Sequence, residues 1–251
     1  MKKTLLFTQL LTLLLTVSCV NRKGPKKILF VFTSHNQLGN TGKPTGFFLS
    51  EASHAYQTFD SAGFHIDFCS VKGGVTTADD INLSDPINKS FWNNTGIRKK
   101  LRETKKIDRI NPSTYSAIYL VGGHGSVWDF PDDKSLARVT AHIYNNGGVV
   151  SAVCHGTAGL LNVKLPDGKF LIDGKKIATF TNSEEAKIHL DKVVPFLLET
   201  ELRNRNAYII HGTDFQPNIQ VDGRLITGQN PASAKGVSIA VINALKDQAK
   251  H

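Results

Sequence analysis

The sequence predicts an α/β three-layer sandwich, with a mainly parallel central sheet and helices on both faces. Three observations predict it. Residues 27–33, 117–121 and 149–153 are short, near-continuous apolar runs, the pattern of strands covered on both faces. Helix-compatible stretches alternate with these runs, as in βαβ units. Each run also ends directly in a loop rich in Gly, Asn or His, on the edge where open α/β sheets bind ligands. The 251 residues suffice for one such domain, and 40% hydrophobic with 20% charged residues is ordinary for a globular chain.

The elements follow in order. Met1-Lys2-Lys3 and the Leu-rich run 4–17 read as a signal peptide over residues 1–18, too short to span a bilayer comfortably. Small residues before Cys19 resemble a bacterial lipoprotein signal, in which Cys19 becomes the lipidated N-terminus; ordinary cleavage after Ser18 is the alternative. Either route exports the chain, to the cell envelope, the periplasm or beyond. Residues 19–26 are polar and basic and read as a tether, and residues 27–251 as one domain. After the first strand, residues 47–62 carry a broad apolar helical face, and 64–69 alternates as a second strand. Residues 70–97 are expected to be an irregular insertion, punctuated by Gly73-Gly74, Asp79-Asp80 and Asp85-Pro86. A helix over 133–145 precedes the strand 149–153. Asp222-Gly223 turns between two late strands, and Pro231 opens the closing helix.

Charge and cysteine content exclude several classes. The net charge of +9 is spread over the chain. Its two clusters, around residues 22–27 and 98–106, lack the interleaved aromatics of a nucleic-acid surface and read as solvated faces. Beyond Cys19 the chain has only Cys69 and Cys154, with no spacing that suggests pairing. There is no CxxC and no HExxH, so spacing predicts no metal site.

The chemistry concentrates at residues 149–156. The strand ends abruptly at Cys154-His155-Gly156, and Ala152 and Gly156 are small enough for a sharp strand-to-helix turn. That is a nucleophile elbow with Cys in place of Ser. A helix N-terminus favours the thiolate, and such sites lower a thiol pKa from about 8.5 to roughly 3.5–7.5. Gly122-Gly123, directly after a buried strand, are placed to turn backbone N–H groups toward a ligand as half of an oxyanion hole.

Five segments together resemble the PfpI/ThiJ superfamily, related to class I glutamine amidotransferase domains. They are Gly46-Phe47-Phe48-Leu49-Ser50-Glu51; Gly122-Gly123-His124-Gly125 with Trp128-Asp129-Phe130-Pro131; Ala152-Val153-Cys154-His155-Gly156; Phe180-Thr181-Asn182-Ser183-Glu184-Glu185 with residues 194–199; and Asp222-Gly223 with residues 227–231. The resemblance implies a flavodoxin-like fold and is nearest to heat-shock chaperones with glutathione-independent glyoxalase or deglycase activity. It implies Cys154 as nucleophile and Glu51 as the acid approaching its sulfur. It implies His155 as the triad histidine, with Glu184 orienting it and Glu185 as the near alternative. The backbone N–H groups of Gly123 and His155 would form the oxyanion hole, and His124 and Asn230 are candidate substrate contacts. The implied substrate is a small aldehyde such as methylglyoxal, converted to a 2-hydroxy acid without a cofactor, with His155 as the proton-moving base and Glu51 as its rival. Unfolded or glycated protein and a second copy of the chain are further implied partners. A holdase with a redox-sensing Cys154, and an amidohydrolase or peptidase, are the competing functions.

Overall fold

Alternation along the first strand divides the core in two. β1 (Lys27–Phe32) sends Ile28, Phe30 and Phe32 to one face of the sheet and Leu29 and Val31 to the other, as a period-2 backbone must. All five are fully buried, so both faces are covered. The computed structural model describes residues 26–248; the expected signal peptide, Cys19 and the expected tether up to residue 25 lie outside the described residues.

Six further strands complete the sheet: β2 (His65–Ser70), β3 (Lys105–Lys106), β4 (Ala117–Leu120), β5 (Val149–Val153), β6 (Ile219–Asp222) and β7 (Leu225–Gly228). Their order is β6-β7-β5-β4-β1-β2-β3. Every neighbouring pair is parallel except β6 and β7, an antiparallel hairpin in which Asp222 faces Leu225. The fold is therefore the three-layer sandwich that the apolar runs predict, with the flavodoxin-like architecture that the resemblance implies.

The helices are α1 (Leu49–Ser61), α2 (Pro86–Asn93), α3 (Thr95–Arg102), α4 (Ser126–Asp129), α5 (Lys134–Asn145), α6 (Asn182–Lys187), α7 (Leu198–Asn204) and α8 (Ala234–Asp247). α1 and α8 pack on the face bearing Phe30, Phe32 and Tyr119, where Phe30 meets Tyr119 with ring centroids 4.8 Å apart. α5 covers the opposite face through Leu136, Val139 and Ile143.

Residues 70–97 are not the irregular insertion that the turn residues suggest. Ala78–Asp79 pairs in parallel with Phe47–Phe48, and α2 follows. Asp85-Pro86 opens that helix: Asp85 Oδ1 accepts from the N–H of Ile87 at 2.7 Å and of Asn88 at 3.3 Å. Pro86 takes a first-turn position where its missing donor costs nothing. α2 then packs on α1, with Phe91 edge-on to Tyr56 at 5.4 Å. The other Asp85 oxygen meets His54 of α1 at 2.8 Å. Asp85→Ala should cost about 1 kcal/mol through loss of the cap. In thermal unfolding that is a fall in Tm of roughly 2–4 °C.

Candidate active site

β5 places the sulfur. Its five residues are all buried, held by parallel pairing to β4 on one side (Leu120 with Ala152) and to β7 on the other (Gly228 with Val153). The strand cannot continue past Val153 because Cys154 sits at φ +55°, a left-handed conformation that costs a non-glycine residue on the order of 1–3 kcal/mol. A 3-10 turn follows, Cys154–Leu160. The bend fits only because two flanking residues lack a Cβ. At Gly156 a Cβ would collide with the Leu120 carbonyl, and at Gly122 with the Val153 carbonyl and the Glu51 carboxylate.

His155, the next residue, links sulfur to acid. Its Nδ1 lies 3.3 Å from Cys154 Sγ and its Nε2 lies 2.7 Å from Glu185 Oε2. The other Glu185 oxygen, Oε1, lies 3.0 Å from His124 Nε2. The two imidazoles pack together with centroids 4.1 Å apart, and Phe180 covers His155 at 4.4 Å. Burial raises the Glu185 pKa, but the charges and hydrogen bonds of His155 and His124 override it and hold the carboxyl down at about 2. Burial and the neighbouring His124 lower the His155 pKa, against the pull of Glu185. An ionised Glu185 accepting from Nε2–H leaves Nδ1 as the acceptor that faces the thiol.

Glu51 approaches the sulfur from α1. Its Oε2 accepts from the Gly122 N–H at 2.8 Å, while Oε1 is buried without a hydrogen-bond partner. Burial raises its pKa to about 8, against the lowering effect of Gly122 and Cys154. The thiol behaves differently from the sequence expectation of a dipole-lowered pKa. Burial, then the Glu51 charge, push it up, and only the His155 backbone N–H opposes them. With Cys154 just 3% exposed, desolvation outweighs the dipole of one short turn. Two acids this close disfavour each other's ionisation, so a protonated Glu51 removes the like charge that opposes ionisation of the thiol.

Of the residues singled out from sequence, Cys154, His155, Glu51, Gly123 and His124 converge here. Gly123, at φ +104°, has its Cα packed against Gly46 and Phe48, beside the elbow. Glu184 does not orient His155; Glu185 does. Glu184 belongs to the start of α6, in a capping box with Thr181: Thr181 Oγ1 accepts from the Glu184 N–H, and Glu184 Oε2 accepts from the Thr181 N–H at 3.0 Å. Its Oε1 accepts from the Phe215 N–H at 2.7 Å and from the Asn230 amide at 2.8 Å. Asn230 is fully buried, with its amide shared between Glu184 and the Gln216 carbonyl. The link from His124 to Glu185 is the feature that sequence reasoning missed. Cys69 and Cys154 are both unpaired and buried.

The DJ-1/PfpI family model matches residues 44–244. The glutathione-independent glyoxalase HSP31 of Saccharomyces cerevisiae is 35% identical over 237 residues, covering 89% of this chain and 99% of that protein. The crystal structure of glyoxalase III from Candida albicans superposes with a TM-score of 0.80 at 32% identity, covering 87% of this chain and 97% of that one. The Rapid Encystment Protein of Francisella tularensis superposes with a TM-score of 0.85 at 34% identity, covering 88% and 99%.

Replacing Glu184 with Ala removes the capping box and strips Phe215 and Asn230 of an acceptor. The expected loss is about 2 kcal/mol, read in thermal unfolding as a fall in Tm of roughly 4–8 °C.

Proposed function

The chain belongs to the DJ-1/PfpI family, and on that premise we propose that it is a glutathione-independent glyoxalase acting on small 2-oxoaldehydes such as methylglyoxal. The observation that carries this reading is the unbroken chain Cys154 Sγ, His155, Glu185, with the buried carboxyl of Glu51 at the sulfur.

The Cys154 thiol passes its proton to the facing His155 Nδ1 as its sulfur adds to the aldehyde carbon of methylglyoxal and forms a C–S bond, and the oxyanion then takes that proton back, giving a hemithioacetal and a neutral His155. In this reading the Gly123 and His155 N–H groups hold the oxyanion, an effect worth roughly 3–4 kcal/mol per donor. His155 Nδ1, neutral and an acceptor, takes the C1 proton, and the resulting enediol is reprotonated at C2. This isomerises the hemithioacetal to a lactoyl thioester. Water then cleaves the C–S bond, releasing lactate and regenerating the thiol. The sum is methylglyoxal plus water to lactate: C1 is oxidised and C2 reduced within one molecule, so no external redox partner is required. Glu51 keeps the thiolate hydrogen-bonded during the cycle. The near-burial of Cys154 favours a two- or three-carbon aldehyde over a peptide.

Binding of unfolded protein is a second reading, supported by Val75, Ile81 and Leu83, which stand exposed between β2 and α2. Cys154→Ala separates the two. It should abolish methylglyoxal loss and lactate formation while leaving any suppression of aggregation intact; lactate production that survives the change rejects the glyoxalase assignment. Glu185→Gln should lower kcat about 100-fold or more, because a neutral amide cannot stabilise the imidazolium.

The pH profile carries a further signature. A group with pKa raised to about 8 is protonated at neutral pH. Activity should therefore fall as pH rises through about 8 and Glu51 loses its proton. In Glu51→Gln, residual activity should be lower but lack that alkaline limb, because the amide does not titrate.

A further inference from the structure

We infer that His124, His155 and Glu185 form a site for a zinc-class divalent cation, and that filling it stops the enzyme. One ring nitrogen of each imidazole and one Glu185 carboxylate oxygen lie within 4.8 Å of one another. His124 Nε2 is 3.0 Å from Oε1 and His155 Nε2 is 2.7 Å from Oε2. Ligands around a tetrahedral zinc at about 2.0–2.2 Å stand roughly 3.3 Å apart, so the 4.8 Å spread of the three ligand atoms has to close by about 1.5 Å at most when an ion enters.

The donor set is selective. Two imidazoles and one carboxylate suit zinc and its transition-metal neighbours; magnesium and calcium prefer oxygen. Three protein ligands leave the fourth position to water. The rings are already oriented: His155 is fixed through Nδ1 at Cys154 and packed between His124 and Phe180. The His124 side chain, 14% exposed, provides the way in.

His124 is what sets this cluster apart from a plain triad. The proposed chemistry needs one imidazole on Glu185, yet a second is stacked against the first and bonded to the same carboxylate. The ligands lie 61 and 30 residues from Glu185 in the chain, so no local motif announces them. An entering cation takes the Nε2 lone pairs, and each imidazole stays neutral because its proton moves to Nδ1, which in His155 faces Cys154 Sγ and then no longer accepts a proton. It also breaks the His155–Glu185 hydrogen bond. The Cys154–His155 unit then loses the acid that orients it, and proton transfer from C1 stops. Binding stands independently of the catalytic assignment; inhibition rests on the glyoxalase reading.

Chelator-stripped full-length protein titrated with Zn²⁺ in a calorimeter should saturate at one ion per chain. Cys154→Ala, which removes only the outer-shell partner of His155, should keep binding, weakened by no more than about 10–100-fold. His124→Gln, checked for folding by near-UV circular dichroism, should bind more weakly by more than the roughly 10–100-fold that loss of an outer-shell partner costs. Co²⁺ in place of zinc should give the visible bands of a nitrogen and oxygen site, with no thiolate charge-transfer band. Absence of binding to the natural sequence overturns the site. So does binding lost in Cys154→Ala but kept in His124→Gln, or a thiolate band with Co²⁺, because each assigns the ion to the sulfur. Methylglyoxal turnover that persists in the saturated protein overturns the inhibition. The Cys154→Ala titration needs no activity, so a failed glyoxalase assignment and a failed metal site are told apart.

Discussion

The hydrogen bond from the Gly122 N–H to the Glu51 carboxyl is the constraint around which the site is arranged. It ties the first turn of α1 to the end of β4, one strand from the elbow. Tyr119 of β4 adds a second tie by donating to the Glu51 carbonyl at 3.1 Å. A buried carboxyl with one partnered oxygen is costly as an anion, so its pKa rises to about 8. Backbone geometry and acid–base state are therefore linked through one interaction. Without Gly122, the carboxyl and the turn could not occupy the same space.

The two carboxyls of the site are driven in opposite directions by the same burial. Glu51 has few compensating partners and is pushed up. Glu185 lies between two imidazoles and is pulled down to about 2. One is thus poised as a donor and the other as a permanent anion, a separation of roles set by neighbours rather than residue type. His155 lies between them, kept neutral by burial and by His124.

Much of this was legible in the chain. The unalternating apolar runs implied a sheet covered on both faces, and the small residues around Cys154 implied the elbow. Two further signals were present but were read less fully. Asp85-Pro86 reads equally as a turn or as an N-cap followed by a first-turn proline, and the helix α2 shows which applies. Thr181 and Glu184 carry the spacing of a capping box, which assigns Glu184 to its own helix start and leaves Glu185 to face inward.

Local pattern settled the layer architecture, the position of the sharp turn and the set of reactive residue types, because hydrophobic period and turn chemistry act over a few residues. Tertiary structure alone settled which glutamate meets His155, that the thiol pKa is raised rather than lowered, and that a second imidazole shares the acid. Those outcomes depend on desolvation and on contacts near 3 Å between residues 30 and 61 positions apart. Distances of that kind are created when β4, β5 and α6 come together, and sequence spacing does not encode them.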